Sequence, residues 1–119
     1  MARKRIPKKI RAGIQQYITA LQKEDVPLDC VILFGSYAKG KQNRWSDVDL
    51  CIVSPLFKNS FNALQFLWTK RLRDSGVRIE PVGFHPRDFS DRYDSLINEI
   101  RSTGISIPIR KLTRVNSVK

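Results

Sequence analysis

The chain has 119 residues, 41% of them hydrophobic, and a formal net charge of +11. That is the size of one small domain with enough apolar material for a packed core, which excludes an intrinsically disordered chain. No apolar run approaches the roughly 20 residues of a membrane span, and no apolar stretch follows the basic N-terminus as it would in a secretory signal.

Ile6, Ile10, Ile14, Ile18 and Leu21 recur at three- and four-residue steps, predicting an amphipathic helix from Pro7 to Lys23. Cys30 to Phe34 (CVILF) is a short buried strand, followed at Gly35-Ser36 by a turn into a short helix over Tyr37 to Lys39. Gly40 to Arg44 is a polar loop, and Val48 to Val53 a second strand closed by Ser54-Pro55. Ser60 is placed to cap a helix over Phe61 to Asp74, with Phe61, Leu64, Leu67, Trp68 and Leu72 as its apolar face and Gly76 at its end. Val77 to Phe84 reads as a third strand, at an edge or bulge because of Pro81. Pro86 opens a turn or short helix. Asp91 to Ser102 is a last helix carrying Tyr93, Leu96, Ile97 and Ile100, and Ile105 to Ile109 a final strand. Alternating helices and strands place the chain in the α/β or α+β class. The expected organisation is one domain over residues 1–109 and a basic tail over 110–119.

Cys30 and Cys51 with one histidine make neither a zinc site nor a disulfide framework. They read as packed, reduced thiols of a cytoplasmic protein. His85 is read as structural. The excess of positive charge attracts nucleotides, nucleic acid or an acidic protein without choosing among them.

The chemistry concentrates between residues 31 and 53. Asp47 and Asp49 stand two apart at the start of the second strand, so they share a face while Val48 turns to the core. A turn explains Asp47, but Asp49 lies within an apolar strand and needs a partner or a metal. Two carboxylates on one face suit a hard divalent cation such as Mg²⁺. Gly35 and Ser36 offer backbone N–H groups and a hydroxyl to a phosphate. Lys39, Lys41 and Arg44 in the loop read either as phosphate partners or as surface charge. Trp45 reads as a cover on the core or as a stacking partner for a base, and Tyr37 is open between nucleotide contact and packing.

Gly35-Ser36, ten intervening residues, then Asp47-Val48-Asp49 resembles the signature of the DNA polymerase β superfamily of nucleotidyltransferases, most closely the minimal nucleotidyltransferases. Phe34, Ala38, Gly40, Ser46 and Leu50 agree with it, whereas Lys39 stands where relatives usually carry Arg. The resemblance extends from the first helix to about Ile109. It implies a polymerase-β-like fold, a small mixed sheet backed by helices with the site on its exposed edge. It also implies a third carboxylate from the next core strand, which Glu80 matches in order and context. Asp47, Asp49 and Glu80 are then the catalytic and metal-holding residues, with two Mg²⁺ ions, and Gly35, Ser36, Lys39 and Arg44 the nucleotide-binding ones, with ATP as substrate. The implied partner is a HEPN-domain RNase toxin in a hetero-oligomer, silenced when AMP is attached to one of its tyrosines. Two other readings stay open: a small-molecule nucleotidyltransferase of the antibiotic-resistance kind, and a non-catalytic antitoxin that neutralises by binding. Direct nucleic-acid binding is permitted by the basic termini but supported by no motif.

Overall fold

The structure is a computed structural model that describes residues 6–71 and 76–110. Helix α1 (Lys8–Lys23) starts after Pro7 and buries Ile14, Ile18 and Leu21 of the expected stripe together with Tyr17, while Ile6, before the helix, and Ile10 are half-buried. Strand β1 (Cys30–Phe34), helix α2 (Ser36–Lys39) and strand β2 (Val48–Val53) follow. Helix α3 (Ser60–Thr69) leads to strand β3 (Ile79–Phe84), helix α4 (Pro86–Phe89), helix α5 (Ser95–Thr103) and strand β4 (Ile105–Ser106). Among the described residues no helix is long and apolar enough to cross a membrane.

The four strands form one mixed sheet in the order β3-β2-β1-β4. β1 runs antiparallel to both β2 and β4, and β2 runs parallel to β3. A parallel pair needs a crossover, which α3 supplies. Strand alternation divides the core in two. Val31, Leu33, Val48, Leu50, Ile52 and Ile79 pack with Ile14, Tyr17 and Ile18 of α1 and with Ala63 and Leu67 of α3. Phe34, Cys51, Val53 and Phe84 pack on the opposite side with Phe89 of α4 and Ile97 and Ile100 of α5. Helices therefore cover both faces of a small mixed sheet. β3 is an edge strand, as Pro81 required: its ring removes a ladder donor that an interior strand would need.

Several expectations need correction. α3 begins at Ser60, because the Asn59 side chain rather than that of Ser60 accepts the Asn62 N–H (2.8 Å). Its ordered span ends at Thr69, and the expected continuation through Leu72 to Asp74 lies outside the described residues. The inward side is Ala63 and Leu67, while Phe61, Leu64 and Trp68 face solvent. This helix is apolar nearly all round, so periodicity admits either face. The choice is made by Gly83 of β3, where a Cβ would lie 2.7 Å from the Ala63 Cβ. α5 starts four residues later than expected. The Asp91 carboxylate accepts the Tyr93 N–H (2.9 Å), and the Asp94 carboxylate accepts those of Leu96 (2.9 Å) and Ile97 (3.1 Å). These local bonds compete with the helix and leave Tyr93 91% exposed in a turn. β4 stops at Ser106. One further sheet-like bond joins the Ile107 N–H to the Val31 carbonyl (2.8 Å), and Pro108 has no N–H to continue. Trp45 does not cover the core but is 72% exposed. Of the expected basic tail, residues 111–119 lie outside the described residues, while the Arg110 carbonyl accepts from the Gln22 amide (2.6 Å).

Both cysteines are free, Cys51 buried and Cys30 half-buried. Burial, then the neighbouring Cys30, pushes the Cys51 thiol up to about 12. His85 plays a structural part, because its Nδ1 accepts the Arg87 N–H (3.0 Å) at the start of α4.

Candidate active site

The site is assembled at one end of the sheet by strand register. Asp49 stands opposite Phe34 on one side and Glu80 on the other. Phe34 is the last residue of β1, so the chain turns away at Gly35 beside Asp49. Gly35 adopts φ 76°, ψ −152°, a conformation close to glycine-only. A Cβ there would collide with Oδ2 of Asp49. The absent side chain is thus what lets the Asp49 carboxylate lie against the backbone of the turn. α2 follows directly, with the Ala38 and Lys39 N–H groups donating to the Gly35 carbonyl (3.1 Å each). Gly40, at φ 72°, ends it.

Alternation puts Asp49 and Glu80 on the α4–α5 side of the sheet, the side of Phe34, Cys51 and Phe84. Asp47, two residues before Asp49, joins them. Side-chain hydrogen bonding with Asp47 is the first cause holding the Glu80 carboxyl above its ordinary value, followed by burial and the charges of Asp47 and Asp49, with Arg71 opposing. Burial, then the charges of Asp47 and of Glu99 on α5, holds the Asp49 carboxyl above its ordinary value. Three sequence-predicted carboxylates are therefore brought together and repel one another.

Two of the predicted cations are engaged elsewhere. Lys39 Nζ pairs with Glu99 Oε2 (3.1 Å), tying α2 to α5. The Arg44 guanidinium lies 5.8 Å from the centre of the exposed Trp45 ring. The sequence reading missed Arg78. Its Nε lies 3.2 Å from Asp47 Oδ1, and its Nη2 donates to the Trp45 carbonyl (2.5 Å), so it braces the loop that delivers Asp47. The signal was available: Arg78 precedes Glu80 by two residues and shares its face. The same turn is closed by Asn43, whose Oδ1 accepts the Trp45 N–H (2.8 Å) and whose N–H donates to Ser46 Oγ (2.9 Å).

Among the described residues no three acidic, histidine or cysteine side chains are gathered tightly enough to form a ready-made metal cage. The donors present are carboxylate oxygens, the set a hard divalent cation takes. The negative charge gathered by Asp47, Asp49 and Glu80, which adds to the raised values of Asp49 and Glu80 behind burial and hydrogen bonding, is the charge that such a cation offsets.

Comparison with known proteins shows the family and the fold. The family model described as nucleotidyltransferase domain matches residues 14–106. A Methanocaldococcus jannaschii protein named "Putative protein adenylyltransferase MJ1305" is 33% identical over 73 residues, 58% of this chain and 50% of that protein. The chain thus spans half the length of this curated relative. Two solved structures share the fold. One, called a "putative nucleotidyltransferase" of Sulfolobus solfataricus, superposes with a TM-score of 0.59 at 14% identity, covering 82% of this chain and 78% of that one. The other, a "toxin-antitoxin with AMP-PNP", has a TM-score of 0.54 at 22% identity, covering 82% and 74%.

Proposed function

Because the chain belongs to the nucleotidyltransferase domain family, we propose that it transfers AMP from ATP to a tyrosine hydroxyl of a partner protein, a HEPN-type RNase toxin, and so acts as an antitoxin. The observation that carries the transferase reading is the register that sets Asp49 against Glu80 and against the side-chain-free turn at Gly35. The protein acceptor is supported by the name of the Methanocaldococcus relative, and the toxin by the toxin-antitoxin structure that shares the fold. The free thiols suit a cytoplasmic setting.

In this reading Asp47, Asp49 and Glu80 hold Mg²⁺, two ions, which when bound supply charge neutralisation at the α-phosphate and at the departing pyrophosphate. Gly35 and Ser36 present backbone N–H groups and a hydroxyl to the triphosphate. Glu80 takes the proton from the attacking hydroxyl. The tyrosine oxygen bonds to the α-phosphorus as the bond to the bridging oxygen breaks, and pyrophosphate leaves. Arg78 keeps Asp47 in place. Lys39 reaches the pyrophosphate by leaving Glu99, a half-exposed pair whose loss costs about 0–1 kcal/mol, and Arg44 lies on the loop that follows α2.

The test is transfer from α-phosphate-labelled ATP with Mg²⁺ in lysate of the source cells, beside Asp47→Asn. Label on one small protein, only with the intact site, is the expected result and identifies the acceptor by mass. Label on small molecules or RNA replaces the protein acceptor with another substrate. No label, with protection from a neighbouring toxin intact, leaves a binding-only antitoxin.

A further inference from the structure

α3 offers solvent an apolar face that the fold does not use. Phe61, Leu64 and Trp68 stand at helical spacing and are 65%, 39% and 41% exposed. Leu56, just before the helix, is 52% exposed. Single exposed hydrophobics are ordinary, but a clustered set with a polar rim marks a contact surface. The packing of α3 onto β3 is carried by Ala63 and Leu67 on the other side, so these residues are not spent on the core.

The charges of the segment itself have one sign. From Ser54 to Arg71 the chain contains Lys58, Lys70 and Arg71 and no aspartate or glutamate. The Arg71 guanidinium lies 4.1 Å from the centre of the Trp68 ring, extending the apolar strip into a cation. Lys70 is shared, 3.3 Å from Glu24 Oε1 and over the Phe66 ring. Such a face complements an apolar strip flanked by carboxylates. It does not complement itself: a second copy brings the same cations and another +11 of net charge.

Position identifies the occupant further. α3 lies against the strand that carries Glu80, and the Arg71 charge at its C-terminal end acts on Glu80. The docking face and the carboxylates lie on opposite sides of the sheet, so a partner seated on α3 reaches them around the β3 edge. An anionic bilayer shares the chemistry and is one outcome of the test below. We propose that this face of α3 is the docking site of the acceptor protein, which presents to it an amphipathic helix with an apolar strip bordered by aspartate or glutamate. The proposal rests on the reading of this chain as a protein-modifying transferase.

The test needs no transfer. Two synthetic amphipathic helices share one leucine-phenylalanine strip, flanked in one by Glu and in the other by Lys. Each is titrated into the ¹⁵N-labelled full chain. The Glu peptide is expected to shift the amides of residues 60–69 and to bind about tenfold or more tightly than the Lys peptide. Phe61→Ser and Leu64→Ser each weaken it about tenfold, and Lys58→Glu with Arg71→Glu erases or reverses the preference. Both apolar positions are exposed, so thermal melts of those variants stay at the wild-type midpoint. Equal affinity for the two peptides, no binding of either, shifts confined to other elements, stronger α3 shifts with phosphatidylserine vesicles, or self-association through α3 each overturn the proposal. Mg²⁺-ATP binding is measured on the same samples. Phe61→Ser keeps it, and Asp49→Asn loses it while keeping the Glu peptide. Intact ATP binding without peptide binding defeats the docking face alone. Peptide binding without ATP binding defeats the transferase reading instead.

Discussion

Replacing Gly35 with alanine separates catalytic geometry from stability. Its φ of 76° with ψ −152° is nearly closed to residues with a Cβ, and holding one there costs about 1–3 kcal/mol. For a domain of this size that lowers the melting temperature by about 4–12 °C. The new methyl also collides with Oδ2 of Asp49, so the carboxylate or the turn must shift. A displacement near 1 Å at a reacting centre costs about 10²-fold in rate. Gly83→Ala is the control. Its Cβ meets Ala63 at 2.7 Å and Leu67 and Phe57 at 2.9 Å each, overpacking α3 on β3 at about 1–3 kcal/mol without touching the carboxylates. Differential scanning fluorimetry and labelled-ATP transfer on both variants decide the matter. Comparable melting losses with a transfer defect of about 10²-fold in Gly35→Ala alone is the expected outcome. Wild-type transfer by Gly35→Ala, or equal losses in both variants, refutes the reasoning.

Asp49 and Glu80 are both held above their ordinary values, so the folded chain binds these protons more tightly than the unfolded one. The stabilisation they give is complete below the unfolded carboxylate range and is lost as pH rises from about 4 through the raised values. Asp49→Asn should therefore flatten the fall in melting temperature above that range while abolishing transfer, and millimolar Mg²⁺ should raise the midpoint of wild type but not of this variant. A midpoint that climbs with pH in the wild type, from these groups, would show the sign to be wrong. Tyr17→Phe removes a fully buried hydroxyl that donates to the Leu67 carbonyl (2.8 Å) and ties α1 to α3. A loss of about 1–3 kcal/mol, seen as a lower melting midpoint with unchanged transfer per folded molecule, is expected. An unchanged midpoint would mean that this bond contributes nothing.

Much of this protein was legible in its residues because the informative signals are local. CVILF and VDLCIV are β-branched and apolar runs bounded by turn residues, and both strands fall where composition placed them. Pro81 announced an edge strand or a bulge by chemistry alone, and the structure shows the edge. Asp47 and Asp49 share a face through strand alternation, whatever surrounds them. Gly35 reads in the sequence as part of a phosphate-holding turn, and only the structure shows that its missing side chain makes room for Asp49. Where local signals conflict, sequence reasoning failed. α3 has apolar residues on nearly every side, and α5 competes at its start with the aspartate bonds of residues 91–94.

Composition and spacing therefore determined, by themselves, a small α/β domain, its sheet-forming segments, and two carboxylates on one strand face beside a glycine turn. Periods of two and of three to four residues are properties of the chain that no neighbour changes. Tertiary structure alone decided that β2 and β3 run parallel in the register that sets Asp49 against Glu80. It decided that Arg78 braces Asp47, and that Lys39 is tied to Glu99 sixty residues away. It also decided that α3 turns Ala63 inward and Phe61, Leu64 and Trp68 outward, because only the packed sheet supplies the Gly83 surface on which the small side must rest.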